Sequence, residues 1–443
     1  MAPNGPARVA WLGCSAPLSP AATAALHPHT QVLAWDPNPD HAAKLFRLSL
    51  DAGLGNLAIH QDPAPPASTS DGFDLVVVDS LVDRLLPPQR DMVVRTAVRL
   101  ARPGALVCVT YRTEVGWGEF TPVIRLLRYV AGRADRDQTQ SVTDAMVLLE
   151  KLAERGVGYF NSSRPLVQAW LQELLACPAR QVAADYLTGD LQPVSHAGMA
   201  EAMATAGATW VGHATFDGDL AEHGLAPAVE QELTRRIGAA RSEVLRQSLT
   251  DIALRRSTRA DLFRLGSLPI APRDRTNWLA RLNMARYDVS GQSSLTDTGP
   301  SLPGTDTGSS RRSATQAQAK APGGGITPDG DDITWLWADD FDTQRSLPVR
   351  RLWPQATPKQ RERLLHAAMR RGLVHPLVSD GADANGVTHQ ARVEASAALT
   401  AAIAASHPPE HRWVVSPTLG TALPAQVSSQ ASEPDLATWG VIR

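Results

Sequence analysis

The chain has 443 residues, 43% hydrophobic and 20% charged, and its 43 basic and 45 acidic side chains leave a formal net charge of −2. That length suits about three domains and can bury a sizeable core without metal or disulfide staples. The charge balance excludes bulk attraction to nucleic acid or to an anionic membrane. Cys14, Cys108 and Cys177 are scattered; they make neither a disulfide framework nor a metal knuckle and fit a reducing cytoplasm. Lys44, Lys151, Lys320 and Lys359 are the only lysines, a bias that fits a GC-rich genome better than phosphate binding. The run Val9–Cys14 before Ser15 resembles a lipoprotein cleavage site, but its six residues fall short of the roughly 7–15 of a signal h-region. No stretch reaches the roughly 18–20 apolar residues of a membrane span. A soluble cytoplasmic protein is expected.

The first 130 residues alternate short apolar runs with amphipathic segments. Arg8–Gly13 reads as a buried strand, and Ser19-Pro20 as a helix start with proline at its first position. Gln31–Trp35 is a second strand, ending at Asp36. Asn38–Ala52 has helical spacing through Ala42, Leu45, Phe46 and Leu50. Leu57–His60 and Phe73–Val78 are further strands, and Pro88–Arg102 is helical through Met92, Val93, Ala97 and Leu100. The turn Arg102-Pro103-Gly104 closes that helix before a fifth strand, Ala105–Tyr111. Strands separated by helices of this length predict right-handed βαβ units, a parallel sheet covered on both faces and thus an α/β, Rossmann-like domain.

From Phe120 the pattern turns helical over Pro122–Ala131, Ser141–Arg155 and Arg164–Cys177. Ala208–Phe216 reads as a strand, and Pro227–Leu254 as one long helix or two shorter ones. Ser290–Asp332 is dominated by Ser, Thr, Gly and Pro and predicts a flexible linker. Beyond it, Pro358–Arg371 reads as a helix capped by Gly372 and Leu373–Val378 as a strand, an order compatible with a winged helix. The expected units are therefore 1–135, a Rossmann-like domain; 136–289, mainly helical; 290–332, the linker; and 333–443, a small α+β domain.

In an open α/β sheet, ligands sit at the carboxyl ends of the strands near a switch point. Asp36 lies 23 residues after Gly13, the spacing at which a carboxylate accepts the ribose hydroxyls of an adenosine; the bland alternative is a turn residue before Pro37. Asp62 is placed either to reach an adenine amino group or to sit in a loop before Pro63. Asp79 either faces the reacting centre or caps the next segment. His27-Pro28-His29 has no third ligand nearby and reads as a surface turn, so no metal is expected. No HExxH, Walker loop or Gly-x-Ser-x-Gly elbow occurs. Arg361, Arg363, Arg370 and Arg371 would meet phosphates if the C-terminal unit read DNA, a remote alternative to a solvated helix face.

Several segments, taken in order, resemble one family. They are Val9-Ala10-Trp11-Leu12-Gly13-Cys14, Asp36-Pro37-Asn38-Pro39, Arg102–Val107 and Tyr111-Arg112-Thr113-Glu114-Val115-Gly116-Trp117. Further on come Asp185-Tyr186-Leu187, Gln192-Pro193-Val194, Trp210-Val211-Gly212 and Arg259-Ala260-Asp261-Leu262-Phe263. Over residues 5–285 the chain resembles bacterial class I S-adenosylmethionine-dependent methyltransferases that carry a methyltransferase regulatory domain, an architecture shared with rickettsial protein-lysine methyltransferases. The resemblance implies S-adenosylmethionine as cofactor, a regulatory role for the helical unit, and a protein side chain, lysine included, as acceptor. Gly13, Ser15, Asp36, Asp62 and Asp79 are then the expected cofactor contacts, and Asp79 and Tyr111 the expected catalytic groups. Trp117 either lines the site, its face toward the sulfonium, or packs on an apolar face.

The sequence also departs from the family. Ser15 and Pro17 stand where the first loop carries glycines, Trp11 where an acidic residue is usual, and Ser80-Leu81-Val82-Asp83-Arg84 where an aromatic segment follows the fourth strand. Ala184 and Thr188 replace His and Asn in the regulatory signature. The alternative to an enzyme is thus a relative that kept the fold as a binding or regulatory subunit. A protein substrate or partner subunit is the expected partner, with homo-oligomerisation left open and neither membrane nor nucleic acid expected.

Overall fold

The protein is represented by a computed structural model. It describes residues 7–14, 18–67, 71–132, 138–161, 163–187, 189–214, 227–240 and 242–266. It also describes 273, 276–277, 280, 283–286, 347–354, 356–370, 374–376, 398–399, 401–402, 413–416 and 421–424. The expected linker over 290–332 and the loop residues Ser15 and Pro17 lie outside these residues.

The N-terminal part follows the alternation read from the sequence: β1 (Arg8–Leu12), α1 (Leu18–Leu26), β2 (Gln31–Trp35), α2 (Pro39–Asp51), β3 (Leu57–His60), β4 (Phe73–Asp79), α3 (Pro87–Leu100) and β5 (Ala101–Arg112). Helix α2 starts where Asn38 caps it, its side-chain oxygen accepting the Asp40 N–H at 3.0 Å, with Pro39 at the first helical position. The turn at Arg102-Pro103-Gly104 lies inside a strand rather than before one. Ala101 already pairs with Phe73, and after the irregularity Leu106 pairs with Leu75.

The helical stretch contains α4 (Glu114–Trp117), α5 (Thr121–Ala131), α6 (Gln138–Glu154), α7 (Pro165–Ala176), α8 (Ala179–Val182), a π-helical turn at Ala183–Leu187 and α9 (His196–Thr205). It continues through β6 (Ala208–His213), α10 (Pro227–Ala239), α11 (Glu243–Leu254) and β7 (Thr258–Leu265). Strands β6 and β7 do not form a separate unit. They complete a seven-stranded sheet of order β3-β2-β1-β4-β5-β7-β6, with β7 antiparallel to both neighbours and the pairs among β1–β5 parallel. The boundary expected at residue 135 therefore does not separate sheet from helices. The edge of β5 offered a row of unpaired backbone groups, and the later chain returns to cover it.

Alternating side chains divide the sheet's two faces. Ala10, Leu12, Val76, Val78, Val107 and Val109 enter one core with Val93, Ala97 and Leu100 of α3 and Met199 and Met203 of α9. Val32 and Ala34 enter the other, with Ala21 and Ala25 of α1 and Leu45 and Leu48 of α2. A third core belongs to the helices, centred on Trp117, Phe120, Leu127, Val142 and Trp170.

Toward the C-terminus, β8 (Asn283–Arg286), β9 (Leu347–Pro348) and β10 (Val374–Pro376) form an antiparallel sheet of order β10-β8-β9 beside a helix at Pro358–Arg370. Strand β8 precedes the expected linker yet pairs beyond it. The strands β11 (Trp413–Ser416) and β12 (Thr421–Pro424) pair as a hairpin. Of the four arginines weighed for phosphate contact, Arg361 spends its donors locally, on the Trp353 carbonyl at 3.0 Å and that of Pro354 at 3.1 Å. Among the described residues no helix is long and apolar enough to cross a membrane.

Candidate functional site

Strand order reverses between β1 and β4: the chain runs outward through β2 and β3 and then returns to the other side of β1. A crevice opens at such a point, beyond the carboxyl ends of the strands. Here it is a cleft of about 390 Å³, part of it open to solvent, whose lining includes Gly13, Asp36, Asn38, His41, Asp79, Ser80, Arg84 and Gly189.

Gly13 ends β1 at φ +102°, a conformation L side chains rarely adopt. Its N–H donates to the Trp35 carbonyl at 2.8 Å, and a Cβ there would run into the Asp79 carbonyl oxygen. Glycine is thus required at this turn, as the sequence anticipates. Asp36 follows β2 and is 4% exposed. Its Oδ2 accepts the Cys14 N–H at 2.6 Å and its Oδ1 the Asn38 N–H at 2.8 Å. The His41 Nδ1 lies 3.1 Å from Oδ2 but is not aligned for a hydrogen bond, and it is buried without one. A carboxylate has about four lone-pair sites. With Oδ2 crowded by Cys14 and His41, Oδ1 keeps room for one further donor. The buried His41 Nδ1 beside it is a second polar group at this corner of the cleft.

Asp79 ends β4. Its Oδ1 accepts the Thr110 hydroxyl at 2.7 Å and the Ser80 hydroxyl at 3.3 Å. Burial pushes its carboxyl above the usual range, against the opposing pull of those two hydrogen bonds. Ser80 holds φ +49°, an outlier for a residue with a Cβ and of the kind that gathers at functional sites. Its N–H donates to the Thr110 hydroxyl at 2.8 Å, which locks the trio. Arg84 follows on a short 3₁₀ turn, Val82–Arg84. Burial lowers the basicity of its guanidinium, as does the neighbouring charge of Arg112. The cleft thus sets a carboxylate and a guanidinium five residues apart on one wall.

Three further residues lie outside the cleft: Asp62 in a loop and Trp117 on an apolar face, each one of its two offered places, and Tyr111 on the far face of the sheet. Asp62 is exposed, and its carboxylate accepts the N–H of Ala64 at 2.8 Å in a local turn. Only its carbonyl oxygen is used at longer range, by the Trp35 indole N–H at 2.9 Å. Tyr111 is 2% exposed and turns to the face of the sheet opposite Asp79, donating to Asp261 Oδ2 at 2.5 Å. The register that pairs Asp79 with Thr110 explains this, because neighbours along a strand point to opposite faces. Trp117 packs in the helical core against Phe120 and Tyr186, with the Arg112 guanidinium 4.7 Å from its ring centre. That face is already occupied by a cation. Of the expected residues the cleft brings together Gly13, Asp36 and Asp79. His41, Ser80 and Arg84 line the cleft without being expected there, although Ser80 and Arg84 stand in the segment that departs from the family, and Thr110 bears on it only through Asp79 and Ser80.

Behind the sheet edge lies a second polar cluster. Asp261 of β7 is fully buried and accepts from the Tyr111 hydroxyl, from His196 Nδ1 at 3.0 Å, from Trp210 Nε1 at 3.1 Å and from Arg259 Nε at 3.1 Å. His213 Nε2 lies 3.4 Å away. Burial alone would raise this carboxyl, but His196 and Arg259 outweigh it and hold the group below its usual range. Arg259 also reaches Asp251 and Gln247 of α11. The Arg259-x-Asp261-x-Phe263 segment is therefore a joint: two charged residues tie α9, α11 and β6 to the sheet, and Phe263 fills its core.

Comparison with known proteins agrees with this geometry. Residues 179–264 match a family described as "Predicted methyltransferase regulatory domain"; the match contains β6, β7 and the buried joint. Among solved structures the chain is similar to PKMT2 from Rickettsia typhi in complex with AdoHcy, at 15% identity and a TM-score of 0.51, over 63% of this chain and 53% of that one. A second structure of PKMT2 from Rickettsia typhi gives a TM-score of 0.50 over 64% and 54%, again at 15% identity. A Synechocystis protein described as uncharacterized is 22% identical over 276 residues, 62% of this chain and 54% of its own. The chain spans about half the length of these relatives. Its fold is similar to that of PKMT2, and residues 179–264 match the regulatory-domain model.

Proposed function

We propose that the chain binds S-adenosylmethionine in the cleft between β1 and β4 and transfers its methyl group to a protein side chain, with lysine the leading acceptor. The observation that carries this reading is the cleft itself: a glycine turn after β1 that admits no side chain, a buried carboxylate after β2 and a half-free carboxylate after β4. The residues fit the cofactor. Oδ1 of Asp36 and the orphaned His41 Nδ1 suit ribose hydroxyls, and the Gly13 turn suits close approach of the nucleoside to backbone. Arg84 offers its positive charge to the carboxylate of the amino-acid tail, and the Asp79 carboxylate lines the same cleft.

Bound there, the cofactor supplies an electrophilic methyl on a sulfonium. The protein's contribution is to align the acceptor and exclude water, worth up to about 7–11 kcal/mol in favourable cases. An amine acceptor must shed its proton before attack. Asp79 suits that task, since its carboxyl titrates above the ordinary range and one of its oxygens has no donor among the described residues. Ser80 and Thr110 hold the other oxygen and so fix the direction of the free one.

Calorimetric titration with S-adenosylmethionine and S-adenosylhomocysteine tests the reading. Binding is expected, and Asp36→Ala should weaken it about tenfold or more, the scale of a hydrogen bond to a charged group. No binding of either compound at millimolar concentration removes the proposal; unchanged affinity in Asp36→Ala removes the ribose assignment. The second reading, a binding or regulatory subunit without turnover, is favoured by the Cys14 N–H, which donates to Asp36 rather than facing the cleft. Cofactor binding with no methyl transfer to any lysine-bearing protein would select it.

A further inference from the structure

We propose that Arg128 and Asp190, both outside the cleft, are positioning residues for it: their ion pair fixes the wall formed by Arg84 and Gly189 and so couples nucleoside binding to the helical unit. The proposal rests on reading the cleft as a nucleoside site.

Residues 189–194 have no helix or strand of their own, yet they are tied along their length. The Asp190 N–H donates to the Arg84 carbonyl at 2.7 Å, that of Gln192 to the Asp83 carbonyl at 2.7 Å, and that of Val194 to the Arg112 carbonyl at 3.0 Å. Arg90 of α3 clasps the Gln192 carbonyl at 3.1 Å and the Val82 carbonyl at 2.9 Å. The segment is thus a strap laid along the 3₁₀ turn that carries Arg84. Gly189 begins it at φ +75°, where a Cβ would stand 2.6 Å from the Arg84 carbonyl oxygen. The strap is rooted in two cores at once: Leu191 is buried among the helices, and Val194 in the sheet core.

One side-chain contact pins the strap to α5. Arg128 Nη1 meets Asp190 Oδ1 at 2.6 Å, and Gln192 Nε2 steadies the other Asp190 oxygen at 3.3 Å. A shift of α5 against the sheet therefore pulls on Asp190, and through its backbone N–H on the carbonyl of Arg84. Anything that binds the helices is linked in this way to the cleft, and by reciprocity a ligand in the cleft is linked to the helices.

The test compares S-adenosylhomocysteine affinity by calorimetry in the full chain, in Arg128→Ala, in Asp190→Ala, in the double alanine variant and in the charge-swapped pair Arg128→Asp with Asp190→Arg. Each single variant should bind about two- to fivefold more weakly, the scale of a partly exposed pair. The double variant should be no worse than either single one, and the swapped pair should recover affinity. Hydrogen exchange at the Asp190 and Gln192 amides should be faster in the single variants. Unchanged affinity in both single variants overturns the proposal, as does weaker binding without faster exchange, which would place the route elsewhere. If the unaltered chain binds no nucleoside, the reading of the cleft falls, and the exchange rates alone decide the coupling: unchanged protection in Arg128→Ala overturns it, and faster exchange supports it.

Discussion

Asp79 and Asp261 lie on the two strands that flank β5, and both leave water on folding, yet they end in opposite states. Asp261 meets donors from Tyr111, His196, Trp210 and Arg259, and its carboxyl is held below the ordinary range. Asp79 has two hydroxyls, both on one oxygen, and burial raises its carboxyl. A buried carboxylate with a full set of donors is a structural joint. One left with an unused oxygen at a cleft is poised for a ligand. Residue type did not distinguish the two; the number and charge of their partners did.

The largest effect should come from removing the charge of the joint. Asp261→Asn leaves Arg259 buried with part of its countercharge gone and should cost about 3 kcal/mol or more in urea unfolding. Because the folded Asp261 titrates below its unfolded value of about 3.9, its contribution is complete above about pH 4 and is lost as pH falls toward the folded value. The gap between the variant and the parent should therefore close in acid. A gap independent of pH would break the assignment.

Tyr111→Phe removes one donor to the same carboxylate and should cost about 1.5–3 kcal/mol of stability. Nucleoside affinity should stay unchanged, because Tyr111 does not line the cleft. A selective loss of methyl transfer in this variant would return Tyr111 to the site and erase the contrast drawn here.

Asp79→Asn should act in the opposite direction. The folded carboxyl titrates above its unfolded value, so ionising it costs stability as pH rises through the folded value. The variant should be more stable than the parent at pH 7, with the difference disappearing below about pH 4, and it should bind S-adenosylmethionine more weakly. A gain in stability with a loss of binding is the signature of a residue kept for function. Equal or lower stability at pH 7 would contradict it. Smallest of all, Asp62→Ala should change stability by less than about 0.5 kcal/mol and affinity not at all, since its side chain serves only a local turn.

The sequence made much of this legible. β2 and β3 fall where periodicity places them, and Gly13, Asp36 and Asp79 were identified from their positions at strand ends. What failed was the choice of side along a strand and the reach of distant segments. Tyr111 is expected in the site because it ends the fifth strand, but a one-residue step on β5 moves a side chain to the other face. Asp62 makes the same hydrogen bond two residues ahead as Asp36 does, but it stands one residue further from its strand and is exposed. His41 is one turn into α2 and enters the site only because that helix begins at the cleft. Nothing local could show that residues 208–213 and 258–265 close the sheet, because antiparallel pairing across 150 residues leaves no short-range trace.

By itself the sequence determined the alternating α/β order, the glycine turn after β1 and the acidic residues at the strand ends, since these follow from local propensity and a period of two or 3.6. Tertiary structure alone decided which carboxylate is a joint and which faces a ligand, because that depends on how many donors distant segments bring to a buried oxygen.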